Sequence, residues 1–190
     1  MAKSSVLFFE GVFVSRVGKH MVTIPAGISV AHDGAVLTVK KNGVEETYTI
    51  PPCIIAKVSS DGILLTPQDS GKITRSIWGT SQRNISNMVI GLDKGFKVDL
   101  EMIGVGYKAS VSGNKLVMQL GFSHDIEYEI PKGITITCSK PTLLTIGGHS
   151  KKQIGDVAAF LRSHRKPEPY KGKGIIKMGE FVYRKEGKKK

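Results

Sequence analysis

Tyr48-Thr49-Ile50-Pro51-Pro52-Cys53-Ile54 returns eighty residues later as Tyr128-Glu129-Ile130-Pro131-Lys132-Gly133-Ile134. The echo continues downstream. Leu64-Leu65-Thr66 recurs as Leu143-Leu144-Thr145, seventy-nine residues on. Upstream, the turn signals Asp33-Gly34 and Gly113-Asn114 correspond. The identities are few, but their order is kept, which points to an internal duplication.

Each copy has the same local grammar. In the first, short apolar runs at Ile28–Val30, Val36–Val39, Tyr48–Ile50, Ile54–Val58 and Ile63–Thr66 are separated by Asp33-Gly34, Asn42-Gly43, Pro51-Pro52 and Asp61-Gly62. Asp-Gly and Asn-Gly between such runs are strong hairpin signals, because both turn residues tolerate positive φ. This reads as an antiparallel meander. The period then changes: Ile73, Ile77, Ile85, Met88 and Leu92 fall on helical spacing, with Asp69 or Ser70 as N-cap and Gly91 near the end.

The second copy repeats the pattern. Strand-like runs cover Phe96–Met102, Val105–Val111, Leu116–Leu120, Ile126–Ile130, Ile134–Cys138 and Leu143–Ile146. A helical stripe follows at Ile154, Val157, Ala158 and Leu161. The expected fold class is α+β, with two similar duplicated domains, each an antiparallel β-sheet packed with one α-helix, plus an extended basic C-terminal tail. The boundaries read as 15–92 for the first domain, 93–166 for the second and 167–190 for the tail.

Charge is concentrated in the last part of the chain. The net charge is +12. Residues 151–190 hold 13 Lys and Arg against four acids, a net of +9. Residues 1–150 hold 15 against 12, a net of +3. A concentrated excess points to a docking surface for a polyanion. On the C-terminal helix, Lys151, Lys152, Gly155, Ala159 and Arg162 share a flank beside the apolar stripe. Small residues between basic ones leave a flat positive face, and an interior glycine costs a helix about 1 kcal/mol relative to alanine. Lysines in the first helical turn also oppose the helix dipole, which a polyanion would reverse. Past Arg165 and Lys166 the chain reads as irregular. Its prolines, Pro167 and Pro169, forbid a helix. Lys171, Lys173, Lys177, Arg184 and Lys185 are interleaved with Tyr170, Phe181 and Tyr183, and Gly172 and Gly174 permit close approach.

Other chemistry finds little footing. Cys53 and Cys138 form neither a disulfide framework nor a zinc spacing, and read as reduced, packed thiols. The histidines are scattered. Gly104-Val105-Gly106-Tyr107-Lys108-Ala109 imitates a dinucleotide fingerprint, but leads into a turn where that motif needs a helix, so it reads as a tight connection between strands. No apolar run approaches the roughly 20 residues of a membrane span, and Glu10 interrupts the apolar run Val6–Phe9, leaving no signal core. The expectation is a cytoplasmic protein with no catalytic residue, no metal and no cofactor.

Pro167-Glu168-Pro169-Tyr170-Lys171-Gly172-Lys173-Gly174-Ile175 closely resembles a signature of the sixth protein of the large ribosomal subunit, bacterial type. Gly179-Glu180-x-Val182, Arg184-Lys185-x-Gly187-Lys188 and Gly104–Ala109 match that family as well, as do Gly79-Thr80 and Asn87-Met88. Ser15-Arg16-Val17-Gly18-Lys19 resembles its opening, with Val14 where the initiator Met stands. Residues 1–14 are therefore either a genuine extension or a start placed too early. Four positions depart from the pattern: Tyr183 and Gln82 stand where Arg is common, and Ser150 and Lys152 make Ser-Lys-Lys of the usual Asp-Lys-Gln.

The resemblance implies the duplicated two-domain plan and a non-enzymatic structural role in the large subunit. It implies binding of large-subunit rRNA near the translation-factor docking region, and contact with neighbouring ribosomal proteins. The expected rRNA-binding residues are Lys151, Lys152, Gly155, Arg162, Arg165, Lys166, Pro169, Tyr170, Lys171, Gly172, Lys173, Gly174, Lys177, Arg184 and Lys185. No membrane or small-molecule substrate is expected. The alternative is a regulatory RNA-binding protein outside the ribosome, which a high-salt wash would strip from sedimenting large subunits.

Overall fold

A computed structural model of the chain describes residues 15–59 and 61–188. Both readings of residues 1–14 lie outside the described residues, as do Lys189 and Lys190. The chain forms two compact units, divided between Val89 and Ile90.

The first unit holds β1 (Val22–Thr23), β2 (Ser29–Asp33), β3 (Val36–Lys41), β4 (Val44–Thr49), β5 (Ile54–Val58), β6 (Gly62–Pro67) and the body of α1 (Lys72–Lys94). The second holds β7 (Phe96–Ile103), β8 (Lys108–Ser112), β9 (Lys115–Gln119), β10 (Ile126–Glu129), β11 (Ile134–Lys140), β12 (Leu143–Gly148), α2 (Lys151–His164) and β13 (Gly174–Lys177). Every paired strand is antiparallel.

The topology of the two units is the same. The first has sheets β2-β3-β4 and β1-β6-β5; the second has β8-β9-β10 and β7-β12-β11 in the corresponding places, with β13 added beside β7. The expected single meander is thus split in each copy. It holds through β4, where Asn42 and Gly43 have φ of 50° and 80° and close the hairpin that pairs Lys41 with Val44. It fails at Pro51-Pro52, after which β6 turns away to pair with β1. A proline lacks the amide that a ladder needs, so the chain leaves one sheet and begins another.

Strand alternation builds the cores. Leu37 and Val39 of β3 are buried, as are Leu116 and Met118 of β9, Ile134 and Ile136 of β11, and Leu144 and Ile146 of β12. In α1 the buried side is Thr74, Trp78, Ser81, Gln82, Ile85, Met88 and Val89. Ile73, expected on the apolar stripe, is 74% exposed. The face is set by Trp78, whose indole N–H donates to the carbonyl of Leu65 at 2.9 Å and whose ring leaves Gly18 no room for a side chain. The helix also runs past Gly91. A Cβ at Gly91 would strike the carbonyl of His149, so that glycine marks a close approach, and Gly95 at φ 70° ends the helix.

In the second unit Ile154, Val157 and Leu161 of α2 lie buried in the core, as their spacing predicts, with Ala158 packed against it. The segment read as an extended tail contributes β13, which pairs Ile175 with Met102 and Lys177 with Leu100 of β7. Ile175 is fully buried in the core.

Candidate nucleic-acid interface

The second unit carries the basic surface, and α2 is its spine. Ser150 precedes the helix in extended conformation, with no side-chain capping bond, and the first turn holds no acid. No side chain thus offsets the helix dipole at this end, where Lys151 and Lys152 are both exposed. Lys151 Nζ stands 5.6 Å from the centre of the Phe96 ring. With Ile154, Val157 and Leu161 turned inward, Gly155 and Ala159 are exposed. A Cβ built at Gly155 meets nothing within 4 Å. Internal packing gives no reason for a glycine there.

Beside that flank runs a groove of about 580 Å³, lined by Gly155, Ala158 and Ala159 and bordered by Arg162, Lys166 and Lys177. It brings the helix flank and the strand of the tail to one place, which the spacing of residues on α2 alone could not show. Lys151 and Lys152 lie in the first turn of α2, about 5–6 Å along the axis from Gly155 at 1.5 Å per residue.

The signature segment closes on itself. Glu168 N–H donates to the carbonyl of Lys173 at 2.8 Å, and Gly172 N–H to that of Glu168 at 3.2 Å. Tyr170 (55% exposed), Lys171, Lys173 and Pro169 are on the outside of this loop. Gly172 and Gly174 are buried and have an intramolecular reason to be glycine. Gly174 has φ 139°, and a Cβ there would sit 2.6 Å from the Lys166 carbonyl oxygen. Gly172 has φ 71° and lies against the Arg184 guanidinium.

The arginines are engaged within the protein. Arg162 grips Glu180 with both terminal nitrogens, Nη1 to Oε2 at 2.8 Å and Nη2 to Oε1 at 2.7 Å. Arg165 Nε donates to the Tyr107 hydroxyl at 3.0 Å, and its guanidinium stands 4.9 Å from the centre of the Phe122 ring. Lys185 is exposed, while its backbone N–H donates to the Pro169 carbonyl at 2.7 Å. Of the expected residues, Lys151, Lys152, Gly155, Arg165, Lys166, Pro169, Tyr170, Lys171, Lys173, Lys177, Arg184 and Lys185 are exposed, Arg162 is half-buried, and Gly172 and Gly174 are buried.

Sequence reasoning named Glu180 and Tyr107 within matched stretches and passed over Phe122, and it assigned none of the three a partner. The signal for Glu180 is an acid inside a matched stretch of an otherwise basic segment. Position 82 also gains meaning. Gln82 is 6% exposed, and its amide donates to the His20 carbonyl at 3.2 Å, so the residue standing in for an arginine turns inward.

Nothing in this arrangement performs chemistry on a substrate. Gly104–Tyr107 forms a turn with Gly106 at φ 76°, followed by strand β8 where a nucleotide fold would place a helix. Both cysteines are free, and burial pushes the Cys138 thiol up, which favours its protonated form. Among the described residues no group of three His, Cys, Asp or Glu stands close enough to hold a metal ion, and no described helix is long and apolar enough to cross a membrane.

The family model "Ribosomal protein L6" matches residues 103–177, from the end of β7 through β13. Proteins named "Large ribosomal subunit protein uL6" match nearly the whole chain. The one from Methylorubrum populi is 46% identical over 177 residues, covering 93% of this chain and all of the relative. The one from Paramagnetospirillum magneticum is also 46% identical, and that from Dinoroseobacter shibae 44%, with the same coverage.

Proposed function

The chain belongs to the ribosomal protein L6 family of non-enzymatic ribosomal proteins, and from that premise we propose that it docks on large-subunit rRNA through the α2 flank, the groove beside it and the 168–173 loop. It is a protein of the large ribosomal subunit. Its mechanism is charge neutralisation plus fit to folded RNA, without a reaction. In the same proposal the docked unit lies near the translation-factor docking region. The first unit faces neighbouring proteins with Ile55 and Leu64, which are exposed on the outer side of its β1-β6-β5 sheet.

The observation that carries this reading is Gly155. It costs α2 about 1 kcal/mol, nothing inside the protein requires it, and lysines stand within a turn of it. An RNA backbone lying against the helix supplies the missing reason. Lysines at the N-terminal end and along the groove then meet phosphates, and Tyr170 offers a face for a base.

The test is Gly155→Glu in the full-length chain. The space around the site keeps the fold intact, while the charge opposes the phosphates, so rRNA binding should fall at least about tenfold at fixed salt. Wild-type binding by this variant would remove the α2 flank from the interface. Large subunits reconstituted without the chain should also support factor-dependent GTP hydrolysis poorly; full activity would sink the placement near translation factors.

A further inference from the structure

We propose that the Arg162–Glu180 pair is a latch that holds the C-terminal segment in its RNA-binding shape before RNA arrives, which makes Glu180 a positioning residue for docking. The proposal rests on the reading above for its functional part. Its structural part stands alone.

The geometry is that of a built contact. Both nitrogens of the Arg162 fork meet both oxygens of the Glu180 carboxylate, at 2.8 and 2.7 Å. The two side chains retain only 35% and 30% of their exposure. Glu180 Oε2 also accepts the backbone N–H of Lys177 at 3.3 Å. Parallel, charge-assisted bonds of this kind fix orientation as well as distance. The latch joins the last turn of α2 to the chain just past β13.

Other bonds continue the strap in both directions. Ile175 N–H donates to the Arg165 carbonyl and Met178 N–H to that of Asp99, each at 2.9 Å. Further on, Lys185 N–H reaches the Pro169 carbonyl at 2.7 Å, and the Arg184 guanidinium lies against Gly172. The segment after β13 thus returns to the base of the loop that carries Tyr170, Lys171 and Lys173. Glu180 is the fastening nearest the middle of that return.

A basic segment without such fastening repels itself and stays disordered, and then loses conformational entropy when RNA orders it. A segment already held in place avoids that loss. Arg162 looks like a phosphate ligand from its spacing, yet its guanidinium is occupied by Glu180. Its contribution to binding therefore runs through the shape of the tail.

The consequence is opposite in sign to simple counter-charge. Removing an acid from a basic segment raises net charge and should tighten binding to a polyanion. If Glu180 positions the tail, removal weakens binding instead.

The experiment uses the full-length chain, amide hydrogen exchange without RNA, and binding to a large-subunit rRNA transcript at fixed salt. In the wild-type protein the Ile175 and Lys185 amides should exchange slowly with no RNA present. In Glu180→Ala, exchange at Lys185 should accelerate about tenfold, the scale of a lost charge-assisted pair, while amides of β11 and β12 stay protected and report an intact unit. Binding should weaken by a similar factor. The exchanged pair Arg162→Glu with Glu180→Arg keeps the net charge and should restore both readouts.

Unchanged or tighter binding by Glu180→Ala would overturn the proposal. So would an exchanged pair that regains protection without binding, because Arg162 would then touch RNA itself. A wild-type chain that fails to bind rRNA would overturn the docking role of the pair together with the function proposed above. The exchange data would still decide whether the latch exists.

Discussion

β1 and β7 hold the same position in the two copies of one plan, and they differ in what they support. β1 has two residues and is an edge strand among the described residues. β7 has eight, and β13 pairs along it. An edge with unpaired amides accepts another strand; in the second copy the chain's own C-terminal segment takes that place. The helices diverge as well. At the repeat spacing, Trp78 corresponds to Val157, Ser81 to Phe160 and Gln82 to Leu161. The repeated tyrosines follow: Tyr48 donates its hydroxyl to Ser81 Oγ at 3.0 Å, whereas the Tyr128 ring packs against Phe160 at 5.2 Å between centres. Duplication preserved strand order and let side-chain chemistry drift. The excess charge gathered where the second copy departs from the first.

Each side of that comparison can be broken separately. The largest effect is expected from Leu161→Ala, which removes a fully buried side chain from the second core and should destabilise that unit by about 2–5 kcal/mol in denaturant titration. A loss below about 1 kcal/mol would mean that α2 contributes little to its unit.

Gly174→Ala comes next. With φ at 139° and the Lys166 carbonyl in the way, it should cost of order 1–3 kcal/mol and expose the β13 amides to exchange. Unaltered protection at Ile175 would show that β13 is not held as described.

Tyr48→Phe removes the polar tie peculiar to the first copy and should cost about 1 kcal/mol. An unchanged denaturation midpoint would show that the hydroxyl bond adds nothing beyond the ring.

The smallest effect separates stability from binding. Gly155→Ala fills open space and should raise the stability of the second unit by up to about 1 kcal/mol, while rRNA binding weakens. A gain in stability with full binding would mean that RNA does not approach α2 closely.

Much of the fold could be read from the chain, because near neighbours carry it. Period-two burial in β3, β9, β11 and β12 follows from alternating side chains. The hairpin at Asn42-Gly43 follows from two residues that accept positive φ. The buried stripe Ile154, Val157 and Leu161 follows from helical spacing. The charge of the last forty residues needs only the sequence.

Tertiary structure decided whatever depends on a partner distant along the chain. Local pattern cannot say that β6 pairs with β1, because that depends on which edge remains vacant after the prolines. It placed Ile73 inside; Trp78, anchored to Leu65, turned the helix so that Ile73 faces outward. It shows Arg162 as a base on a helix flank and Glu180 as an acid in the tail, and not that the two side chains pair at 2.8 and 2.7 Å. Only the pairing of β13 with β7 brings those two side chains together, and a charge acquires its role from what it meets.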